Sequence, residues 1–370
     1  MRPRRTRRLG AWLATLLLAS TSVGLVVGLA ELYVRHSDTR IASAEGDLAG
    51  NPFSLVRYTP AGRRLVPGAN VVIRNHYLSR RDVPMRINRH GFRDRELVVP
   101  KPEGEVRILV LGDSITWGDY LPAEEVYVER LEARLRAQGV DRVEVVNAGV
   151  GDMGLRGEVD LLLDRGLVVE PDVVVVGFYL NDSRPPWGFP AERGGRGWLR
   201  RHSMLANRIY DWALLRRWLQ ERGEGRLGWV TAASRLDWQH DPDQFLELAR
   251  LAHYDWGAAW QPESWVEVDA QLSRLEQLGD THHFRVVLVA LPVAFQVQAS
   301  FVEDTPQREL AGLAKSRGFE FVDLLPALRK HSDERLFFDH CHPTPRGNDL
   351  IAQALESYLA PTLQRRAAPQ

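Results

Sequence analysis

Five short apolar runs, separated by helix-length segments, constrain this 370-residue chain more than any other feature. They are Val106 to Leu111, Val143 to Val146, Val173 to Val176, Arg285 to Leu291 and Phe319 to Val322. A strand with one wet face alternates polar and apolar residues. These runs scarcely alternate, so both of their faces must be covered. Helical patterns lie between them, from Ala123 to Gln138 (stopped by Gly139) and from Leu155 to Leu167. Thr305-Pro306 and Thr344-Pro345 each set a capping hydroxyl before a proline at the first helical position. The alternation predicts an α/β fold of three layers, with a parallel five-stranded sheet between helices.

The chain ahead of this pattern is built differently. Arg2, Arg4, Arg5, Arg7 and Arg8 precede an uncharged run from Leu9 to Ala30. As a helix that run is about 33 Å long, against a hydrocarbon core of ~30 Å, and it exceeds the ~7–15 residues of a signal-peptide core. It reads as an N-terminal transmembrane helix. The arginines keep its start cytoplasmic, so the rest of the chain lies in the periplasm or at the cell surface. The small residues Ala19 to Ser22 leave a cleaved signal peptide as the alternative.

The expected organisation is a tail and anchor at 1–35, a polar linker at 36–60, a small β-rich preface at 61–105 and an α/β domain at 106–364. Within the preface, Asn70 to Arg74 and Pro84 to Asn88 have strand character. A helical insertion at 183–265 interrupts the domain and holds nine of the eleven Trp. It is either a lid over the site or a peripheral element whose Trp residues build a small core of its own.

Lys+Arg and Asp+Glu both number 48, a formal net charge of zero, which removes the bulk electrostatic case for nucleic-acid binding. A lone cysteine, Cys341, excludes an intramolecular disulfide and a multi-cysteine zinc site.

Ligands of open parallel sheets bind at the carboxyl ends of the strands. The first strand ends in Gly112-Asp113-Ser114-Ile115-Thr116 and runs into a helix. Ser114 there is either an ordinary helix cap or a nucleophile, which needs a base within hydrogen-bond reach. Asp339-His340-Cys341-His342-Pro343 offers one, because an Asp three residues before a His can hold Nδ1 and leave Nε2 to take the serine proton. The same cluster is dense in metal-ligand types, but no HExxH motif accompanies it. The third strand ends in Asn181-Asp182, and the second in Asn147-Ala148-Gly149-Val150-Gly151-Asp152. Either can supply donors to a developing oxyanion, or simply form turns. Gly149 to Gly154 also fits G-x-G-x-x-G, but no acidic residue ends the next strand at the spacing a dinucleotide site needs.

In this order, these pieces resemble the SGNH (GDSL-type) hydrolase family over about residues 106–360, apart from the insertion. The resemblance implies a flavodoxin-like SGNH hydrolase fold, with Ser114 as nucleophile and Asp339 and His342 completing a triad. Asn181 maps onto the family's oxyanion-hole asparagine. The oxyanion-hole glycine maps near Gly151, although Asp152 occupies its counted position. Ile87 to Arg93 is similar to a preface found in membrane-anchored bacterial relatives. The resemblance implies no metal and no cofactor.

The reading that follows is a membrane-anchored serine esterase acting on acetyl or other short acyl esters of extracytoplasmic carbohydrate or lipid. Two alternatives stand beside it. One is an envelope polysaccharide O-acyltransferase using the same triad. The other is a non-catalytic glycan-binding scaffold that works through the Trp-rich insertion.

Overall fold

The computed structural model describes residues 4–42, 45–49, 55–59, 62–183, 198–199, 203–221 and 228–367. An N-terminal helix, α1 (Arg4–Ala42), leads into five short strands: β1 (Glu45–Ala49), β2 (Val56–Thr59), β3 (Gly62–Leu65), β4 (Asn70–Arg74) and β5 (Val83–Arg86). β2 and β3 form an antiparallel hairpin, while β4 pairs antiparallel with β5 and parallel with β1. The stretch 36–60, expected as a plain linker and partly outside the described residues, therefore carries the end of α1 and two strands. Glu45–Ala49 has no apolar alternation to announce a strand; β4 supplies the pairing partner. The apolar span of α1, Trp12–Arg35, is exposed over a membrane-length window and becomes buried only near its end, at Val34. Its length fits a membrane anchor or a signal sequence.

The main sheet contains β6 (Val106–Gly112), β7 (Val143–Asn147), β8 (Val173–Tyr179), β9 (Arg285–Leu291) and β10 (Glu320–Asp323), in the order β10-β9-β8-β6-β7. All neighbours are parallel. Every residue of β7 and β8 is buried, as the unalternating sequence requires. Between the strands run α2 (Ser114–Trp117), α3 (Tyr127–Ala137) and α4 (Leu155–Leu161). The helix expected to run to Leu167 breaks early, into a π turn at Leu162–Gly166 and a 3₁₀ turn at Leu167–Val169. Gly166 and two β-branched valines make that end a poor α-helix former.

Strand register decides where a site can form. Gly112 lies opposite Gly177, Val110 opposite Asn147 and Tyr179 opposite Leu291, so the carboxyl ends line one edge. From β6 the chain builds β7 on one side and then β8 on the other. Such a reversal opens a crevice beyond the end of β6.

Thr344 caps the helix Pro345–Ala367 as expected, its Oγ1 accepting the Gly347 N–H at 3.3 Å. Thr305 does not cap its helix. It is already the first helical residue, and Asp304 precedes it without a side-chain cap bond.

The described part of the insertion is helical, with helices at Met204–Glu221, Gly228–Ala232 and Pro242–Leu251. Trp229, Trp238, Trp256 and Trp265 are buried. The Trp256 ring meets Trp229 and Trp260 edge-on at centroid distances of 6.0 and 5.5 Å, giving this part a small aromatic core. Trp187 lies outside the described residues.

The segment after β5 grips the edge formed by the carboxyl ends of the strands. Arg93 is buried, and its guanidinium donates to the carbonyls of Trp117 (2.7 Å), Gly118 (2.5 Å) and Leu121 (2.5 Å). The Trp117 and Gly118 carbonyls close α2, and the Gly118 carbonyl also accepts the Leu121 N–H at 3.0 Å. Removing the guanidinium leaves the Trp117 and Leu121 carbonyls without donors, each at a cost of ~1–3 kcal/mol. Arg93→Ala is expected to lower the urea midpoint by several kcal/mol equivalents of stability, about 3 or more. An unchanged midpoint in an equilibrium melt followed by circular dichroism would show the grip to be unimportant.

Candidate active site

β6 ends at Gly112, and the chain turns at once into α2. Asp113 caps that helix, its carboxylate accepting the Ile115 N–H at 2.9 Å. Ser114 is the first helical residue. A Cβ on Gly112 would stand 2.8 Å from Thr116 Cβ and 3.2 Å from the Gly177 carbonyl, so a larger residue does not fit. Asn147, at the end of β7, ties two loops together. Its amide donates to the Thr116 carbonyl at 2.8 Å, and its oxygen accepts the Gly149 N–H at 3.0 Å.

The other half of the site is a compact loop. Asp339 Oδ1 accepts the backbone N–H groups of Cys341 (2.9 Å) and His342 (2.8 Å). Its Oδ2 lies 2.8 Å from His342 Nδ1. His342 Nε2 lies 3.0 Å from Ser114 Oγ, across 228 residues of chain. The structure thus brings Ser114, His342 and Asp339 into one continuous hydrogen-bonded line. The loop is pinned on both sides. Phe338 N–H donates to the His342 carbonyl at 2.8 Å, and Ala294 N–H donates to the His340 carbonyl at 2.8 Å. His340 Nε2 lies 3.3 Å from Asp255, and its ring packs edge-on against Trp229 at 4.8 Å, joining the loop to the insertion.

Electrostatics follow from this arrangement. Burial disfavours the charged form of His342, but the hydrogen bond and charge of Asp339 outweigh it and hold the imidazole above its ordinary value. Burial also works against the Asp339 carboxylate, and here too the partner wins: the His342 hydrogen bond holds it well below the usual range. Burial pushes Asp113 up to about 6. Burial, with the charge of Asp113, drives Glu158 well above the carboxylate range, and burial, with the charges of Glu158 and Asp113, does the same to Asp182. Both oxygens of Glu158 and one of Asp182 are buried without a hydrogen-bond partner. Burial therefore biases both carboxyls toward the protonated form.

Asn181 and Gly151 lie on the same edge, two residues past β8 and four past β7. Neither hydrogen-bonds to Ser114. The Asn181 Oδ1 is buried and unpartnered, and no hydrogen bond among the described residues engages the Gly151 N–H. The neighbouring Val150 N–H is already taken by the Gly112 carbonyl at 3.1 Å. Asp152 adopts a positive φ of 61° and pairs with Arg63, which turns its side chain toward the preface. The glycines of the G-x-G-x-x-G run do packing work. A Cβ on Gly149 would sit 2.6 Å from the Thr116 carbonyl carbon and 2.8 Å from Trp117 Cα.

Asp339, Cys341 and His342 also present three potential ligand atoms within 4.8 Å of one another. Burial raises the Cys341 thiol well above its usual value, which opposes the thiolate a metal would need.

Two neighbours of the site carry no signal in the sequence. Tyr120 packs edge-on to His342 at 5.1 Å. His76, from the preface, is fully buried beside it and lies 3.3 Å from Asp119. The Leu78 N–H donates to His76 Nδ1 at 3.2 Å, which leaves Nε2 to donate to Asp119. A lone His in a strand–turn segment has no spacing to mark it; only the fold brings it to this edge.

A serine, a histidine and a carboxylate in line at the switch point of a parallel sheet define a nucleophilic hydrolase site. Residues 110–350 match the model of the GDSL-like lipase/acylhydrolase family, and the chain belongs to that family of ester hydrolases. Among solved structures, the acetyl xylan esterase AlAXEase shares 17% identity, with 69% of this chain and 100% of that one covered, at a TM-score of 0.39. An acetyl xylan esterase from Geobacillus stearothermophilus shares 15%, covering 68% and 92%, at 0.40. A lipolytic protein of the G-D-S-L family from Veillonella parvula shares 14%, covering 69% and 98%, at 0.36. No curated protein sequence matches the chain.

Two outcomes follow from the titrating groups. A base must be neutral, so kcat/KM is expected to fall on the acid side through a pKa above the ordinary ~6.5 of histidine. A pH profile with its acid limb well below that value would contradict the coupling to Asp339. For Glu158, the folded state holds a proton that the unfolded state releases, so its contribution to stability is fully present below the unfolded pKa and is lost as pH rises toward the folded one. Glu158→Gln is therefore expected to gain thermal stability relative to wild type at about pH 9 and little at about pH 4. The same difference at both pH values would show that Glu158 does not titrate in this way.

Proposed function

We propose that the chain is a serine esterase held to the membrane by α1, with Ser114 as nucleophile, His342 as base and then acid, and Asp339 as the group that orients His342. The observation that carries this reading is the Asp339–His342–Ser114 line, with contacts of 2.8 and 3.0 Å.

Ser114 Oγ adds to the ester carbonyl while its proton passes to His342 Nε2. Negative charge gathers on the former carbonyl oxygen, toward which the Gly151 N–H and the Asn181 amide would donate. Collapse expels the alcohol, protonated by His342, and leaves an acyl-serine. His342 then takes a proton from water as the water attacks the acyl carbon; the second collapse returns that proton to Ser114 and releases the acid. Asp339 keeps Nδ1 protonated throughout and stabilises the imidazolium without itself taking the proton.

The substrate class we infer is an acetyl or other short acyl ester on carbohydrate or lipid outside the cytoplasm. This rests on the family's acylhydrolase chemistry and on an arginine-flanked apolar helix that would keep the domain beside the outer face of a membrane.

Turnover of p-nitrophenyl acetate and labelling by a fluorophosphonate test the assignment. Ser114→Ala is expected to abolish labelling and reduce turnover on the order of 10⁶-fold. Asp339→Asn is expected to cost about 10⁴-fold and Asn181→Ala about 10²–10³-fold. Equal and mild losses at Ser114, Asp339 and His342 would sink the triad.

A further inference from the structure

α1 does more than lead into the fold. Glu31, one residue beyond the uncharged run, reaches the start of the helix Met204–Glu221. Its carboxylate accepts the Ser203 hydroxyl at 2.8 Å and the backbone N–H groups of Met204 (3.0 Å) and Leu205 (2.9 Å), while Arg35 donates to it at 2.6 Å. A carboxylate at a helix N-terminus satisfies donors that have no partner within the helix and opposes the positive end of its dipole. The insertion is therefore fastened to the anchor at the level where the apolar span ends.

The segment fastened there has the makeup of a membrane-interface element. Leu199 is 61% exposed, Ile209 57% and Trp212 59%. Ile209, Trp212, Ala213 and Arg216 fall at helical spacing on one face, with the Arg216 guanidinium 5.4 Å from the centre of the Trp212 ring. An Arg stacked on Trp suits the headgroup level, where the ring sits among acyl carbons and the cation meets phosphate. Charge agrees. Arg208 and Arg216, both exposed, stand one turn before and one turn after Trp212. Basic residues near an anionic surface contribute about 1 kcal/mol each.

We propose that the helix Met204–Glu221 and the preceding Trp198-Leu199 form a second membrane contact, lying in the anionic headgroup layer of the bilayer that α1 spans. The occupant of this exposed face is phospholipid, because the Glu31 contact holds the face at the end of a membrane-length helix and the local charge complements phosphate. The inference rests on α1 remaining attached as an anchor.

Full-length protein in phosphatidylcholine vesicles containing phosphatidylglycerol tests this by spin labelling at introduced cysteines, with native Cys341 buried. Val27→Cys reports the anchor, Ile209→Cys the proposed contact, and Val266→Cys, an exposed site on another helix, the solvent reference. Paramagnetic-relaxer accessibility is expected to place Val27 in hydrocarbon, Ile209 about 5–10 Å below the phosphates and Val266 in water. Water-exposed labels at both Ile209 and Val266, with Val27 in lipid, would overturn the contact while leaving the anchor intact. Spin–spin broadening at Ile209 would overturn it in favour of a second copy of the chain. If Val27 is also in water, anchor and contact fail together.

Discussion

A hydrogen bond of 3.0 Å between atoms 228 residues apart allows very little error in where the sheet ends. Everything around the His342–Ser114 contact serves to limit that error. Parallel register aligns β6, β7 and β8 at one edge. Asn147 then ties the β7 loop to α2, Arg93 grips the end of α2, and Asp339 winds its own loop about one carboxylate oxygen. None of these contacts is chemical machinery. Together they hold the proposed nucleophile and base at bonding distance before any substrate arrives, and that is where a rate advantage of proximity would begin.

The polarity of the site is graded. Directly against the imidazole stands an ionised carboxylate, Asp339, whose hydrogen bonds hold its charge. Near the proposed nucleophile stand Glu158 and Asp182, which burial biases toward the neutral form, with Asp113 between the two regimes. Acids biased in that direction oppose negative charge close by less than ionised ones would.

Much of this was legible in the residues, for reasons that differ by element. Val173 to Val176 announces a doubly covered strand because no wet strand tolerates four valines in a row. Asp339 and His342 stand out because a three-residue spacing is what one carboxylate needs to reach the following imidazole. β1 was not legible, since Glu45–Ala49 is ordinary polar sequence until β4 lies beside it. Arg93 was hidden for a related reason. Its partners are backbone carbonyls, and no residue type marks them. Glu158 reads as the solvent-facing residue of an amphipathic helix, and only the packing of α4 on the sheet buries it.

The grip of the preface on the catalytic edge also orders events during synthesis. Arg93 and His76 leave the ribosome before α2 exists, and their partners at Trp117 to Leu121 follow shortly afterwards. The proposed base, His342, follows Ser114 by 228 residues. A nascent polypeptide can thus carry the strands β6 to β10 while still lacking His342, so hydrolytic competence would be deferred until that residue has been made.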